Sequence, residues 1–217
     1  DPSYDGPVQG FQLWINLRSA NKLDPPEFQN ARADAMPLVN VSTIDDRGPG
    51  AKAKVLLGEL DGQASPVETQ GIRCQYCDYL CINHDAPDSL VDLCTGDYEL
   101  DVNAEATHPR PSGMSTLFVY VYEGSGTFCG TSAKKGEVLR LSSSGDVHVK
   151  ASTKLGFMLL AGQPLREPIV QHGPFVMSTQ DQIMQAFQDY QSGSFLAEEC
   201  TYLSLIHISE PTRPDEI

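Results

Sequence analysis

Three thiols and one imidazole stand within eleven residues: Cys74, Cys77, Cys81 and His84. Thiolates and a neutral imidazole are the donors of a tetrahedral Cys3His zinc site, and Cys77 and Cys81 are spaced as one helical turn. The stretch lacks the two separated ligand pairs of common zinc modules. Zinc is therefore weighed against a surface loop with free thiols, and against a mis-assembled segment that never folds.

The other histidines offer less. His108 in ATHPRPSG has no second histidine two positions away, and one imidazole makes no metal site; it reads as an ordinary loop histidine. His148 in VHVK reads as a solvent-facing strand residue. His172 lies in AGQPLREPIVQHGPFVMST, between an Arg166-Glu167 pair and a Gly173-Pro174 step. It reads as a residue that orients that turn by hydrogen bonding, with Arg166 and Glu167 pairing or binding backbone. No catalytic residue is assigned.

These residues must be positioned by strands. Residues 11–17, FQLWINL, alternate Phe11, Leu13, Ile15 and Leu17 against Gln12, Trp14 and Asn16, a strand pattern. Pro25 and Pro26 break it, and a short helical stretch follows around 30–35. Strands are expected at 39–44, 54–58, 90–94, 98–102, 115–122, 127–129, 137–141, 147–150 and 154–161, with EGSG at 123–126 a hairpin turn. Short strands at turn-punctuated spacing predict an all-β sandwich or barrel. A single helix is clear: Thr179 caps it, Gln182 completes a capping box, Ile183, Ala186, Phe187 and Tyr190 share a face, and Gly193 stops it.

The chain has 217 residues, 40% hydrophobic and 20% charged, with a net charge of −14 and a pI near 4.6. Such a surface repels nucleic acid phosphates and anionic membranes, which disfavours direct DNA binding but leaves protein partners open. No apolar run is long enough to span a bilayer. Four of the six cysteines fall between Cys74 and Cys94, a usage that fits a reducing compartment better than a disulfide framework. The cytoplasm, the nucleus or both are expected, and a monomer.

GFQLWINL at Gly10–Leu17, PVET at Pro66–Thr69, YVYEGSGTF at Tyr120–Phe128 and AGQPLREPIVQHGPFVMST at Ala161–Thr179 together resemble the pirin family of bicupins. The resemblance runs in order from about Gly10 to Phe195, and the last motif is its most specific part. It implies two cupin barrels, with Fe(II) in the N-terminal one held by three histidines and a glutamate. It also implies either a quercetin 2,3-dioxygenase acting on a flavonol, or an iron-dependent transcriptional cofactor that meets a transcription factor.

In that family the iron ligands lie upstream of the GFQLW strand. Only DPSYDGPVQ precedes Gly10 here, and it contains no histidine. No ligand carries over, so this chain is expected to bind no family iron and to be inactive alone, with Cys74, Cys77, Cys81 and His84 as zinc candidates only. The expected organisation is a remnant of the N-terminal cupin at 1–36 and a C-terminal cupin at 37–161 with a Cys-rich insertion at 71–89. A segment at 162–195 follows, its helix packing back on the N-terminal domain. Leu203–Arg213, LSLIHISEPTR, matches in all eleven residues the translated adaptor of a transposase-based sequencing library. The tail 203–217 is therefore expected to be non-native, His207 to carry no function, and the chain to be a fragment.

Overall fold

A computed structural model describes residues 11, 13–24, 27–43, 50–67, 93–110, 113–142, 144–195 and 201–204. The zinc candidates Cys74, Cys77, Cys81 and His84 lie outside them.

The strands are β1 (Glu27–Asn30), β2 (Leu38–Asn40), β3 (Ala51–Leu57), β4 (Glu59–Leu60), β5 (Gln63–Ala64), β6 (Leu93–Leu100), β7 (Glu105–His108) and β8 (Thr116–Glu123). They continue with β9 (Ser125–Phe128), β10 (Thr131–Lys134), β11 (Val138–Arg140), β12 (Val147–Ala151) and β13 (Leu155–Gly162). After β14 (Val170–His172) and β15 (Phe175–Met177) come the helix α1 (Gln180–Ser192) and β16 (Thr201–Ser204).

Two sheets build the body. One is six-stranded, in the order β11-β8-β13-β6-β3-β2, and the other four-stranded, β10-β9-β12-β7. The sequence explains their inner faces. β3 alternates Ala51, Ala53, Val55 and Leu57 inward, β8 points Leu117, Val119 and Val121 inward, and β12 does the same with Val147, Val149 and Ala151. Period-two alternation puts one residue in two on the same face of a sheet. Apart from Leu57, which packs in a second cluster, these residues close one core with Tyr98, Leu100, Phe128, Phe157 and Leu159.

Several elements differ from the sequence expectations. Where two strands were expected, at 90–94 and 98–102, β6 runs unbroken over Leu93–Leu100 through Gly96, and 90–92 lie outside the described residues. That glycine makes room for a neighbour, since a Cβ there would stand 2.7 Å from the Tyr98 ring. EGSG is a corner and not a hairpin: β8 belongs to the six-stranded sheet and β9 to the four-stranded one. Gly124 bends the chain between them at φ 68°.

Residues 13–18 join no strand among the described residues, although Leu13, Ile15 and Leu17 do pack against Leu57 and Val67. Alternation reports a buried face and needs no ladder partner. The stretch expected to be helical holds the end of β1 and a turn at 33–35. Leu203 and Ser204, the first residues of the expected non-native tail, sit in β16, which pairs in parallel with β1.

The end of the body leads into a small unit of its own. β14 and β15 form an antiparallel hairpin, and α1 packs on it through Ile183, Ala186 and Phe187. Thr179 and Gln182 form the reciprocal capping box, and Gly193 ends the helix at φ 75°.

Candidate functional site

His108 is the one buried histidine among the described residues, and the loop reading of it is corrected here. It ends β7, where alternation turns Ala106 and His108 inward and Glu105 and Thr107 outward. Its imidazole is 3% exposed. Nδ1 is hydrogen bonded to the Tyr98 hydroxyl at 2.5 Å, while Nε2 has no partner among the described residues.

Tyr98 reaches that position by being held flat. It lies directly opposite Phe157 on β13, and the two rings stack at 4.7 Å and 6°. Phe128 meets Phe157 edge-on at 5.0 Å. The barrel interior around His108 is therefore filled by aromatic rings, whose offset and edge contacts stabilise it beyond simple burial.

Burial pushes the His108 imidazole down to about 4, with the nearby Asp146 carboxylate opposing and the Arg110 guanidinium assisting the shift. At neutral pH the group is uncharged. Both charges sit at the barrel mouth. The Arg110 side chain donates to three backbone carbonyls: Gly145 at 3.1 Å, Met114 at 3.1 Å and Ser142 at 2.5 Å. Its backbone N–H donates to Asp146 at 3.2 Å. One guanidinium thus ties the loop after β7 to the loop before β12. The rigid fork of donors suits arginine to such a role.

Do these residues suit the iron that the resemblance implies? Nε2 of His108 is a free donor atom, which is a point in favour. Against it, Nδ1 is taken by the Tyr98 hydroxyl, and the rings packed there, Tyr98 and Phe157, add no second imidazole or carboxylate. No cluster of three or more His, Cys, Asp or Glu among the described residues can hold an ion. The described barrel interior does not fit iron.

The other histidines are placed as follows. His148 is exposed on the outer face of β12, and its Nδ1 lies 3.0 Å from the Thr107 hydroxyl. This pair borders an open cleft of about 240 Å3 with Thr43, Glu105, Thr127 and Lys150. The lysine there is already engaged, since Lys150 is paired with Glu105 at 2.7 Å. His172 ends β14 at a two-residue turn, and its described contact is aromatic: it meets Phe187 edge-on at 5.2 Å. The turn is held by strand pairing and by Gly173 at φ 56°, where a hydrogen bond from His172 was expected. Glu167 binds backbone as expected, accepting from Ser19 N–H at 2.6 Å.

Sequence reasoning missed Tyr98, Arg110 and a second tyrosine. Tyr122 donates to Asp97 at 2.7 Å, and burial with that hydrogen bond holds its phenol well above the ordinary tyrosine value. Asp97 and Tyr122 lie on different strands, so no spacing announces them.

Residues 96–196, from β6 through the end of α1, match the family described as the pirin C-terminal cupin domain. The barrel is a pirin-type cupin. Relatives extend the likeness beyond that range. A pirin-like protein of Solanum lycopersicum is 34% identical over 197 residues, covering 88% of this chain and 58% of its own length. Pirin of Homo sapiens is 31% identical over 198 residues, again 88% of this chain and 58% of that protein. Among solved structures, a quercetin 2,3-dioxygenase from Acinetobacter baumannii superposes with a TM-score of 0.68 at 28% identity, covering 84% of this chain and 55% of that one.

The chain thus spans 58% of the length of these two curated pirin relatives. The tail motif Ala161–Thr179 falls inside the pirin match. No helix among the described residues is long and apolar enough to cross a membrane.

Proposed function

We propose that this barrel is the scaffold half of a pirin-like protein whose whole form is a non-haem iron dioxygenase acting on a flavonol such as quercetin. The observation that carries the reading is the superposition on a quercetin 2,3-dioxygenase over 84% of the chain. The scaffold role is supported by the interior, where Tyr98, Phe128 and Phe157 fill the barrel beside a lone imidazole. On this reading Fe(II) is held by residues outside those matched here, in an N-terminal cupin, and this chain alone turns nothing over.

The test is oxygen consumption by the full-length gene product, loaded with Fe(II) and given quercetin. Uptake that depends on both iron and quercetin is expected. The variant His108→Phe should keep it within about twofold, because His108 is no ligand. Turnover by the present chain alone would sink the scaffold reading.

A second reading is an iron-dependent transcriptional cofactor. The net charge of −14 favours it over any direct contact with DNA, since it suits a protein partner. Full-length protein that retains iron, consumes no oxygen with quercetin and binds a transcription factor would point to this role instead.

A further inference from the structure

The short turn Ser19–Asn21 is a 3-10 helix whose N-cap, Arg18, gives it no side-chain hydrogen bond. The exposed first N–H of such a turn needs an acceptor. Glu167 supplies it from far along the chain, accepting from Ser19 N–H at 2.6 Å. At the other end of the turn stands Lys22, the C-cap. Its ammonium donates to the Val176 carbonyl in β15 at 2.9 Å and to Asn16 at 2.6 Å. Both ends of one turn are therefore tied to the segment that follows the barrel.

Two further observations say that this tie is built. Arg166, just before Glu167, sits at φ 57°. A non-glycine residue adopts that conformation at a cost, and it persists where surrounding contacts demand it. Lys22 is half-buried, and burial lowers its pKa while Glu167 opposes the shift, which places the carboxylate within electrostatic reach of the ammonium.

The apolar packing gives the tie its consequence. The body has its own core, the segment 13–17 packs with Leu57 and Val67 in a second, and Phe175, Met177, Ile183 and Ala186 form a third. α1 packs on β14 and β15. The third core is small, and an isolated unit of that size is marginal in water.

We propose that Glu167 and Lys22 form a two-point clasp that couples the β14–β15–α1 unit to the rest of the protein, so that breaking it lets this unit open while the barrel stays closed. The clasp works through the Ser19–Asn21 turn, whose segment is anchored in the second core. Opening would loosen the unit and its own small core of Phe175, Met177, Ile183 and Ala186 without unfolding β6, β8 or β13. The device is independent of any oxygenase activity and of metal.

Hydrogen exchange of the full chain, followed by mass spectrometry, tests it with Glu167→Gln, Lys22→Met and the double variant. Amides of 170–192 should exchange about tenfold faster in each single variant, as loss of one charge-assisted bond implies. The double variant should add little to the faster single, because the two points hold one turn. Peptides of β6, β8 and β13 should exchange at wild-type rates. Glu167→Asp serves as a control for folding, keeping the carboxylate with a shorter reach and giving an intermediate rate. Unchanged exchange of 170–192 in the double variant overturns the proposal. So does parallel acceleration of barrel peptides.

Discussion

The Tyr98 hydroxyl and Nδ1 of His108 lie 2.5 Å apart inside the barrel, with the two residues 1% and 3% exposed. The far side of the imidazole has no partner among the described residues. Leaving one buried polar atom unpaired costs about 1–3 kcal/mol, so the barrel keeps this histidine at some expense and keeps it neutral.

Acid stability should report that neutrality. Burial holds His108 at about 4 in the folded protein against 6.5 as its ordinary value. Between those two values the unfolded chain binds a proton that the folded one does not. Stability is therefore fully present above the unfolded value and is lost as pH falls from about 6.5 towards 4, by about 3 kcal/mol at most. Urea midpoints at neutral and at acidic pH, for wild type and His108→Gln, check this. The variant should lose less on acidification, and an equal loss in both would remove His108 from the account.

Charges at the barrel mouth should move the same titration in opposite directions. Arg110 lowers the His108 value and Asp146 raises it. Arg110→Ala should therefore shift the imidazole upward, and Asp146→Asn downward, in a histidine titration followed by NMR. Arg110→Ala also frees three backbone carbonyls, and should cost about 1–2 kcal/mol of stability. Lysine should not restore it, because a point charge does not reproduce a fork that spans three acceptors.

What was legible in the sequence, and what was not, follows from how local each cause is. The helix at 180–192 was legible because Thr179, Gln182 and Gly193 act on backbone groups within one turn. The strands at 147–151 and 155–162 were legible from apolar residues alone. β7 was missed because Pro109 and Pro111 follow His108 and made its neighbourhood read as loop. The burial of His108 depends on Tyr98 and Phe157, which only strand pairing brings together. The role of Arg110 depends on backbone carbonyls, which leave no trace in residue types.

Two glycines with similar backbone angles should respond differently to alanine. Gly124 and Gly113 both have positive φ, 68° and 82°. A Cβ on Gly124 would meet the Lys154 carbonyl oxygen at 1.8 Å, whereas one on Gly113 meets nothing within 4 Å among the described residues. Gly113→Ala should cost about 1 kcal/mol, the conformational term alone. Gly124→Ala adds a backbone clash at the corner between the two sheets and should cost more than about 3 kcal/mol. Melting temperatures of the two variants decide it, and similar values would mean that the corner relaxes freely.

The capping box at α1 offers a prediction about two residues that act as a unit. Gln182 N–H donates to the Thr179 hydroxyl at 3.3 Å, and the Gln182 side chain accepts from the N–H groups of Thr179 at 3.1 Å and Ser178 at 3.0 Å. Thr179→Ala removes one of these bonds and should cost about 1 kcal/mol. Gln182→Ala removes two, from donors that have no partner inside the helix, so it should cost at least as much even though alanine is the better helix former. The double variant should cost less than the sum, because each side chain helps to hold the other. Hydrogen exchange of the first turn of α1 reads all three, and strict additivity would show two independent caps where the geometry has one.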